Sequence, residues 1–464
     1  MRKSRLIIAG LAITLTLVSG CASSDVDYAA KLDNVAVIVL DDFNASPKQR
    51  PKDSTSNCAY VGTPSSDVGS TGAPGSLTGI HGEVVYKTIA ADLDQLLGAR
   101  GTDSPSAYGL AAINGMQVKA NKWTVAAKSP TTGAVVTRRV TLVGLDTQDF
   151  NTATIATELS KLLDRIRENG NTKFTRIVLN MSFVLAPCDI ARWLADLLTM
   201  DDTQLRQHYL DLLHNDPKLI GFHDKLASLL KAGKPSADDL AAFWQDMFAQ
   251  SPWVEGLAVN VFYRPLSGGR LEQLLKGELK DSTGADRAAR RVFDQIYNPE
   301  EPLRRLTKSP GKGVEFIPVG AAGNGSLPSQ ATQGIGYPLT FPLAPALWDE
   351  VTSASALDDD HQQPKAGYSN SGEMALSGAA ATTLPDASGN QVKPLGTSFS
   401  AAHLSVREAL YLLTGGTTGL CQPGVSPALG YANPSNPVWR NEPMTNANTY
   451  CTTFLQHATP PPTP

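Results

Sequence analysis

The sequence predicts an α/β fold with a central parallel sheet and one large helical insertion. Residues 35–40 form a continuous run of apolar and mostly β-branched residues, which is typical of a parallel strand covered on both faces. Residues 141–182 contain a strand, helix and strand pattern. Helical spacing of apolar residues from about 186 to 312 predicts an insertion of five or more helices. The length of 464 residues allows a large core.

The N-terminal segment predicts export. Three cations among the first five residues precede an apolar stretch at 6–18 that is too short to span a bilayer. Ser19-Gly20-Cys21 resembles the lipobox of bacterial lipoproteins, which implies a signal peptide at 1–20, a lipid on Cys21 and a polar tether at 21–34. The alternative is an ordinary secretory signal with an incidental cysteine. Ala22, where an Asp usually means inner-membrane retention, favours the outer membrane.

Charge and cysteine usage limit the partners. The formal net charge is −4 and no basic tract is present, which argues against nucleic acid. Four cysteines follow Cys21, and an even number in an exported chain predicts two disulfides with three possible pairings. Cys421 with Cys451 would close a C-terminal loop, which leaves Cys58 with Cys188. No spacing predicts a metal site, and no cofactor is expected.

The first strand ends in a carboxylate. The run at 35–40 is followed by Asp41-Asp42, at the strand edge where α/β sheets place their sites, although an Asp in a turn fits the stretch equally well. Residues 43–79 are rich in Ser, Pro, Gly and Thr and predict a long surface loop. His81 then stands at or near the start of a helix with apolar residues at helical spacing, although a lone His-Gly is usually structural.

The middle of the chain changes from strands to helices. Residues 141–147, a helix marked by apolar positions from 155 to 166, and residues 174–182 predict a βαβ unit. The insertion at 186–312 contains three histidines, interpreted as solvated or structural because no H-E-x-x-H pattern accompanies them: His208, His214 and His223.

The α/β pattern resumes in the last third. A strand at 314–319 ends in a Gly-rich turn containing Asn324, whose amide can donate a hydrogen bond. Short strands are predicted at 368–372 and 374–378. Gly396-Thr397-Ser398 predicts a tight turn into a buried helix, where free backbone N–H groups favour a developing negative charge. A helix N-cap at Thr397 or Ser398 is the simpler interpretation of that stretch alone.

Five segments in this order resemble the subtilisin-like serine proteases. They are Val37-Ile38-Val39-Leu40-Asp41, His81-Gly82-Glu83-Val84-Val85, Asn180-Met181-Ser182, Ala321-Ala322-Gly323-Asn324 and Gly396-Thr397-Ser398-Phe399-Ser400. The resemblance implies a three-layer fold with a catalytic domain in two parts, 35–185 and 313–420, interrupted by the insertion and followed by an extension at 421–464.

The resemblance also implies roles for single residues. Ser398 would be the nucleophile, His81 its base, and Asp41 the carboxylate that orients the imidazole. Asn324 and the Ser398 backbone N–H would bind the oxyanion. The residues implied for substrate binding are Ser182, Phe183 and Gly323, and Ser182 with its neighbours would pair with an extended peptide. His403 would be a structural histidine of the serine helix.

The chain departs from the family pattern at four places. Asp42-Phe43 replaces Ser/Thr-Gly, so Asp42 is a rival for the orienting role, although strand register favours Asp41. Phe183-Val184 replaces Leu-Gly, and Ala402 replaces a Pro, which restores a backbone donor. The region before Asp41 is too short for the folding propeptide of many relatives.

These patterns predict a lipid-anchored serine endopeptidase acting on peptides or proteins outside the cytoplasm. The alternative is a catalytically impaired lipoprotein on the same fold that binds partners through its insertion. An esterase is a weaker third interpretation, because no G-x-S-x-G segment contains Ser398. The insertion leaves and rejoins the core beside the expected cleft, so it would restrict access or dock a protein partner.

Overall fold

The structure is a computed structural model in which the described residues are 34–44, 52, 56–61, 77–103, 119–128, 135–147, 151–168, 176–199, 203–215, 217, 219–250, 301–311, 314–324, 342–357, 366, 368–414 and 426–427. The predicted signal peptide, most of the tether and nearly all of the C-terminal extension lie outside these residues. So do Cys21, Cys421 and Cys451.

A sheet of nine strands forms the centre of the described fold. Their bounds are β1 Asn34–Asp41, β3 Thr102–Asp103, β4 Lys119–Lys128, β5 Val135–Asp146, β6 Arg176–Met181, β8 Glu315–Ala321, β9 Thr352–Leu357, β10 Met374–Ser377 and β13 Ser426–Pro427. Their order across the sheet is β13-β10-β9-β8-β6-β1-β5-β4-β3. The strands from β10 to β5 in that order are mutually parallel, and β3, β4 and β13 are antiparallel additions at the edges.

Helices cover both faces of this sheet. They are α1 His81–Leu97, α2 Thr152–Glu168, α7 Pro302–Lys308 and α8 Thr397–Thr414. In β1, Val35, Val37 and Val39 pack in one cluster with α1 and α8, whereas Ala36, Ile38 and Leu40 pack in another with α2. All six are fully buried, because side chains alternate along a strand and both faces are covered. The predicted α/β class with a mostly parallel central sheet is therefore confirmed as a three-layer fold.

Strand order differs from sequence order around β1. The predicted strand–helix–strand unit exists as β5, α2 and β6, but β1 lies between β5 and β6 and pairs with both. The predicted strand at 368–372 is absent, since these described residues form no regular strand, whereas β10 matches the one predicted at 374–378.

Two small antiparallel ribbons stand outside the central sheet. One pairs β2 (Asn57–Tyr60) with β7 (Val184–Pro187), and the other pairs β11 (Leu384–Pro385) with β12 (Gln391–Val392). The prediction of a surface loop at 43–79 was therefore wrong for β2, whose four residues are buried. A disulfide joins Cys58 to Cys188, which confirms the expected pairing of these two cysteines.

Five helices of the predicted insertion are described, and four of them pack together: α3 Ile190–Thr199, α4 Thr203–Asn215, α5 Ile220–Lys231 and α6 Ala237–Gln250. Their apolar faces form one cluster, centred on residues such as Trp193, Leu226 and Trp244, which also includes Cys58 and Leu347. The predicted insertion also contains α7, but this helix packs against α2 in the core. No helix among the described residues is both long and apolar enough to cross a bilayer.

Candidate active site

Asp41 and His81 form a buried pair at one edge of the sheet. Asp41 is the last residue of β1 and His81 is the first residue of α1, as the sequence predicts. His81 Nδ1 lies 2.9 Å from Asp41 Oδ1 and 3.0 Å from Oδ2. The Asp41 side chain is 0% exposed, and that of His81 is 7% exposed. Burial raises the pKa of the Asp41 carboxyl, while the charge and hydrogen bonds of His81 oppose this rise.

Strand parity decides which carboxylate meets the imidazole. Asp41 has the same parity as Val39, so its side chain lies on the face covered by α1 and α8. Asp42 instead accepts a hydrogen bond from the Asn44 backbone N–H at 2.9 Å, in a turn after the strand. The Asp42 carbonyl accepts from Gly82 N–H at 2.9 Å, which fixes the start of α1. The rival carboxylate therefore shapes the loop and does not contact His81.

Ser398 lies in the first turn of α8, against the end of β6. Its Oγ donates to the Ser182 carbonyl at 3.3 Å, and Ser182 Oγ lies 3.1 Å from the Ser398 carbonyl. Ser182 Oγ also donates to Asn180 Oδ1 at 2.9 Å. The Ser398 hydroxyl therefore does not cap the helix, which was the simpler interpretation of this stretch. Ser398 is half-buried, whereas its helix neighbours Thr397 and Phe399 are buried.

The imidazole lies against Phe399, the residue that follows Ser398. The rings of His81 and Phe399 have centroids 6.1 Å apart and are tilted by 33°. Phe399 follows Ser398 directly and is 1% exposed, so it forms an apolar wall next to the histidine. Among the hydrogen bonds of the described part of the chain, none joins His81 to Ser398.

Asn324 is held by the first residue of α8. Its Oδ1 accepts from the Thr397 backbone N–H and from Thr397 Oγ1, both at 3.0 Å. This leaves Nδ2 as a donor, and a Cβ built on Gly396 would lie 3.3 Å from it. The Ser398 N–H also lies in the first turn of α8, where helical N–H groups lack intrahelical partners. Two donors therefore converge near the start of α8.

Gly323 is also held by Thr397 at the start of α8. Its N–H donates to Thr397 Oγ1 at 3.1 Å, and its carbonyl accepts from Asn370 N–H at 2.9 Å. Its φ is +110°, in a region that L-residues rarely adopt, and a Cβ there would meet Asn370 Nδ2 at 2.8 Å. A glycine is needed at this position because both the conformation and the close approach exclude a side chain.

His403 is a structural bridge within the described fold. Its Nδ1 lies 2.5 Å from Asp92 Oδ2 on α1, and its Nε2 lies 2.9 Å from the Ala379 carbonyl. Both contacts are made to acceptors, so they are best satisfied when both ring nitrogens carry a proton. Burial works to lower the pKa of His403, but the bond and charge of Asp92 outweigh it and the pKa is raised.

The two other predicted substrate residues differ in what they expose. Ser182 offers its carbonyl beside Ser398, as described above. The Phe183 side chain is 2% exposed and packs in the core cluster with α2, so only its backbone is available at the site. Val184 begins β7 and pairs with Tyr60.

Three features of the site were missed by sequence reasoning. Thr397 links Gly323 to Asn324, and Asn180 Nδ2 donates to Ser405 Oγ on α8 at 3.1 Å. The third is β2, which lay inside a stretch interpreted as a loop. The Thr next to the serine could have indicated the role of Thr397. The pairing of β2 with β7 could not have been found, because it leaves no local pattern in the sequence.

Together these elements define a three-layer α/β fold. Its strand-end edge carries a buried carboxylate–imidazole pair, and the helix that packs next to this pair begins with a half-buried serine and two hydrogen-bond donors. Such a set can perform nucleophilic acyl transfer. No group of three or more potential metal ligands was found among the described residues. No family model matches the chain, and no curated protein matches it in sequence.

Proposed function

We propose that the chain is a subtilisin-like serine endopeptidase that hydrolyses peptide bonds by means of Asp41, His81 and Ser398. The observation that carries this proposal is the buried two-oxygen contact of Asp41 with His81, beside the helix that begins at Thr397. A carboxylate buried in this way orients the adjacent imidazole and stabilises the imidazolium that forms when the ring accepts a proton.

The Asp41 contact determines which histidine nitrogen can act as the base. A carboxylate accepts hydrogen bonds, so His81 Nδ1 carries the proton in this pair and Nε2 carries the free lone pair. Rotation of the Ser398 side chain away from the Ser182 carbonyl would bring Oγ toward Nε2. A 3.3 Å bond to a carbonyl is weak enough for such a rotation on substrate binding.

The reaction would follow two acyl transfers. Ser398 Oγ attacks the peptide carbonyl as His81 Nε2 takes its proton, and the oxyanion is bound by Asn324 Nδ2 and the Ser398 N–H. The imidazolium then gives its proton to the leaving amine, and an acyl group remains on Ser398. Water then attacks the acyl group while His81 Nε2 takes its proton. Return of that proton to Ser398 Oγ releases the acid and restores the serine.

A fluorophosphonate probe tests this proposal. The wild-type protein should react covalently and Ser398→Ala should not, while Ser400→Ala, a buried serine of the same helix, should still react. Peptide mapping of the adduct should identify Ser398. Adduct formation on another residue, or equal labelling of Ser398→Ala, would contradict the assignment of the nucleophile.

A binding protein on the same fold is the second candidate. The observation that favours it is the hydrogen bond of Ser398 Oγ with Ser182, in place of one with His81. In that case the insertion helices would bind a partner. A folded wild-type protein that stays unlabelled and cleaves no peptide in a mixed library would support this candidate over the peptidase.

We also propose that the chain is exported and anchored at the outer membrane by a lipid on Cys21. The support is the lipobox-like Ser19-Gly20-Cys21 after a short apolar stretch. Cys21→Ala should block processing and release the protein from membranes. Unchanged size and membrane fractionation of that variant would exclude the anchor.

A further inference from the structure

One edge of β7 is paired with another strand of the chain, and its other edge makes a backbone hydrogen bond to Ala344. On one edge, β7 pairs antiparallel with β2, with Tyr60 opposite Val184 and Asn57 opposite Pro187. On the other edge, the Leu185 N–H donates to the Ala344 carbonyl at 2.9 Å. Because backbone groups alternate along an antiparallel pair, Tyr60 and Val184 form a hydrogen-bonded pair. The edge of β7 that faces β2 is therefore not available to an incoming peptide strand.

Strand β2 runs toward the serine. β7 begins two residues after Ser182, whose carbonyl accepts from Ser398 Oγ. In the antiparallel register, the C-terminal residue of β2, Tyr60, lies at the end of β7 nearest Ser182. Consider a peptide with its scissile carbonyl at Ser398 and its preceding residues along this edge of β7. Such a peptide would have to occupy the space that Tyr60 fills. At about 3.3 Å per residue, the distance from Ser182 to Val184 has room for about two residues.

Several independent contacts hold β2 in place. The disulfide joins its Cys58 to Cys188, and Tyr60 Oη donates to the Pro187 carbonyl at 2.7 Å. Thr152 Oγ1 donates to the Asn57 carbonyl at 3.0 Å. Cys58 and Ala59 are 0% exposed. Displacing β2 would leave buried backbone groups without partners, so a substrate strand cannot readily replace it.

We propose that β2 is a built-in strand that limits the substrates to peptides with about two ordered residues before the scissile bond. This inference rests on the proposed peptidase function. Residues further from the scissile bond have no strand to pair with, so they add no binding energy in the transition state. Tyr60 and Val184 are the residues that set this limit, and the matching substrates are peptides of any length that are recognised through about two residues before the scissile bond.

Two peptidyl phosphonate probes of different length measure the limit. Acetylated di- and tetrapeptidyl diphenyl phosphonates with the same terminal residue should inactivate the oxidised wild-type protein with rate constants within about twofold of each other. A tetrapeptide that reacts about ten times faster or more would overturn the proposal. Failure of both probes and of an alkyl fluorophosphonate would instead contradict the peptidase function.

A measurement without catalysis tests the strand itself. Hydrogen exchange in the free, oxidised protein should find the amides of Val184 and Ala186 protected, because both face β2. Rapid exchange at these amides would overturn the proposal whatever the probes do.

A variant pair then links the strand to the length limit. Tyr60→Pro removes the backbone donor opposite Val184, and the tetrapeptide probe should become at least about ten times faster than the dipeptide probe. Tyr60→Phe keeps that donor and loses the Oη bond to Pro187, so the two rates should stay within about twofold of each other. Equal rates in a folded Tyr60→Pro protein would contradict the role of β2. If that variant does not fold, the comparison of the two probes on the wild-type protein remains the test of the proposal.

Discussion

A buried carboxyl on the serine helix makes the stability of this protein depend on pH. Glu408 on α8 is 0% exposed, and neither of its carboxyl oxygens has a hydrogen-bond partner among the described residues. Burial raises its pKa from 4.5 to about 8, because no partner compensates the lost hydration of the charged form. We predict that Glu408→Gln removes most of the resulting loss of stability at alkaline pH.

The sign and size follow from linkage. Between the unfolded pKa of 4.5 and the folded pKa of about 8, the folded state binds more protons than the unfolded state. With respect to Glu408, the free energy of unfolding is therefore highest below pH 4.5 and falls as pH rises toward 8. At about 1.4 kcal/mol for each pKa unit, this gap corresponds to roughly 5 kcal/mol. The amide that Glu408→Gln introduces has nearly the same shape as the carboxyl and does not titrate, so its burial cost is independent of pH.

Urea unfolding of the wild type and the variant, from about pH 5 to pH 9, measures this difference. The variant should gain several kcal/mol relative to the wild type across that range, and His403 titrates in both proteins, so its contribution cancels. Glu83→Gln, which removes a partly exposed ion pair with Lys119, serves as the control and should alter the profile by less than about 1 kcal/mol. A difference between Glu408→Gln and the wild type that stays constant with pH would refute the reasoning.

Three further predictions concern the site. Asp41→Asn should lower kcat by about 10⁴ in a peptide assay, because an amide favours the wrong tautomer of the imidazole, and a loss under about tenfold would argue against the triad. Asn324→Ala should lower kcat by about 10² to 10³ with little change in KM, and a change confined to KM would contradict an oxyanion role. Gly82→Ala should destabilise the fold by about 1–3 kcal/mol in thermal unfolding, because its Cβ would lie 2.4 Å from the Asp42 carbonyl oxygen. The matched control, Gly221→Ala in α5, has no atom within 4 Å and should stabilise by up to about 1 kcal/mol.

Local patterns were enough to locate the elements that end or begin at the candidate site. An unbroken apolar run predicts β1 and its terminal Asp41, and helical spacing after His81 predicts α1. The apolar run after Ser398 predicts α8. These predictions succeed because burial on one or two faces imposes a period on neighbouring residues, and that period is readable in a short window.

Contacts between residues far apart in sequence determined the features that no short stretch of the sequence could predict. Tyr60 and Val184 are far apart in sequence, and the stretch around β2 is rich in residues typical of loops, so its burial became evident only through β7 and the disulfide. The orientation of the Asn324 amide likewise depends on Thr397, which belongs to another element. Strand pairing and side-chain hydrogen bonds between distant segments are set by the packing of the whole core, because each segment alone satisfies several arrangements equally well.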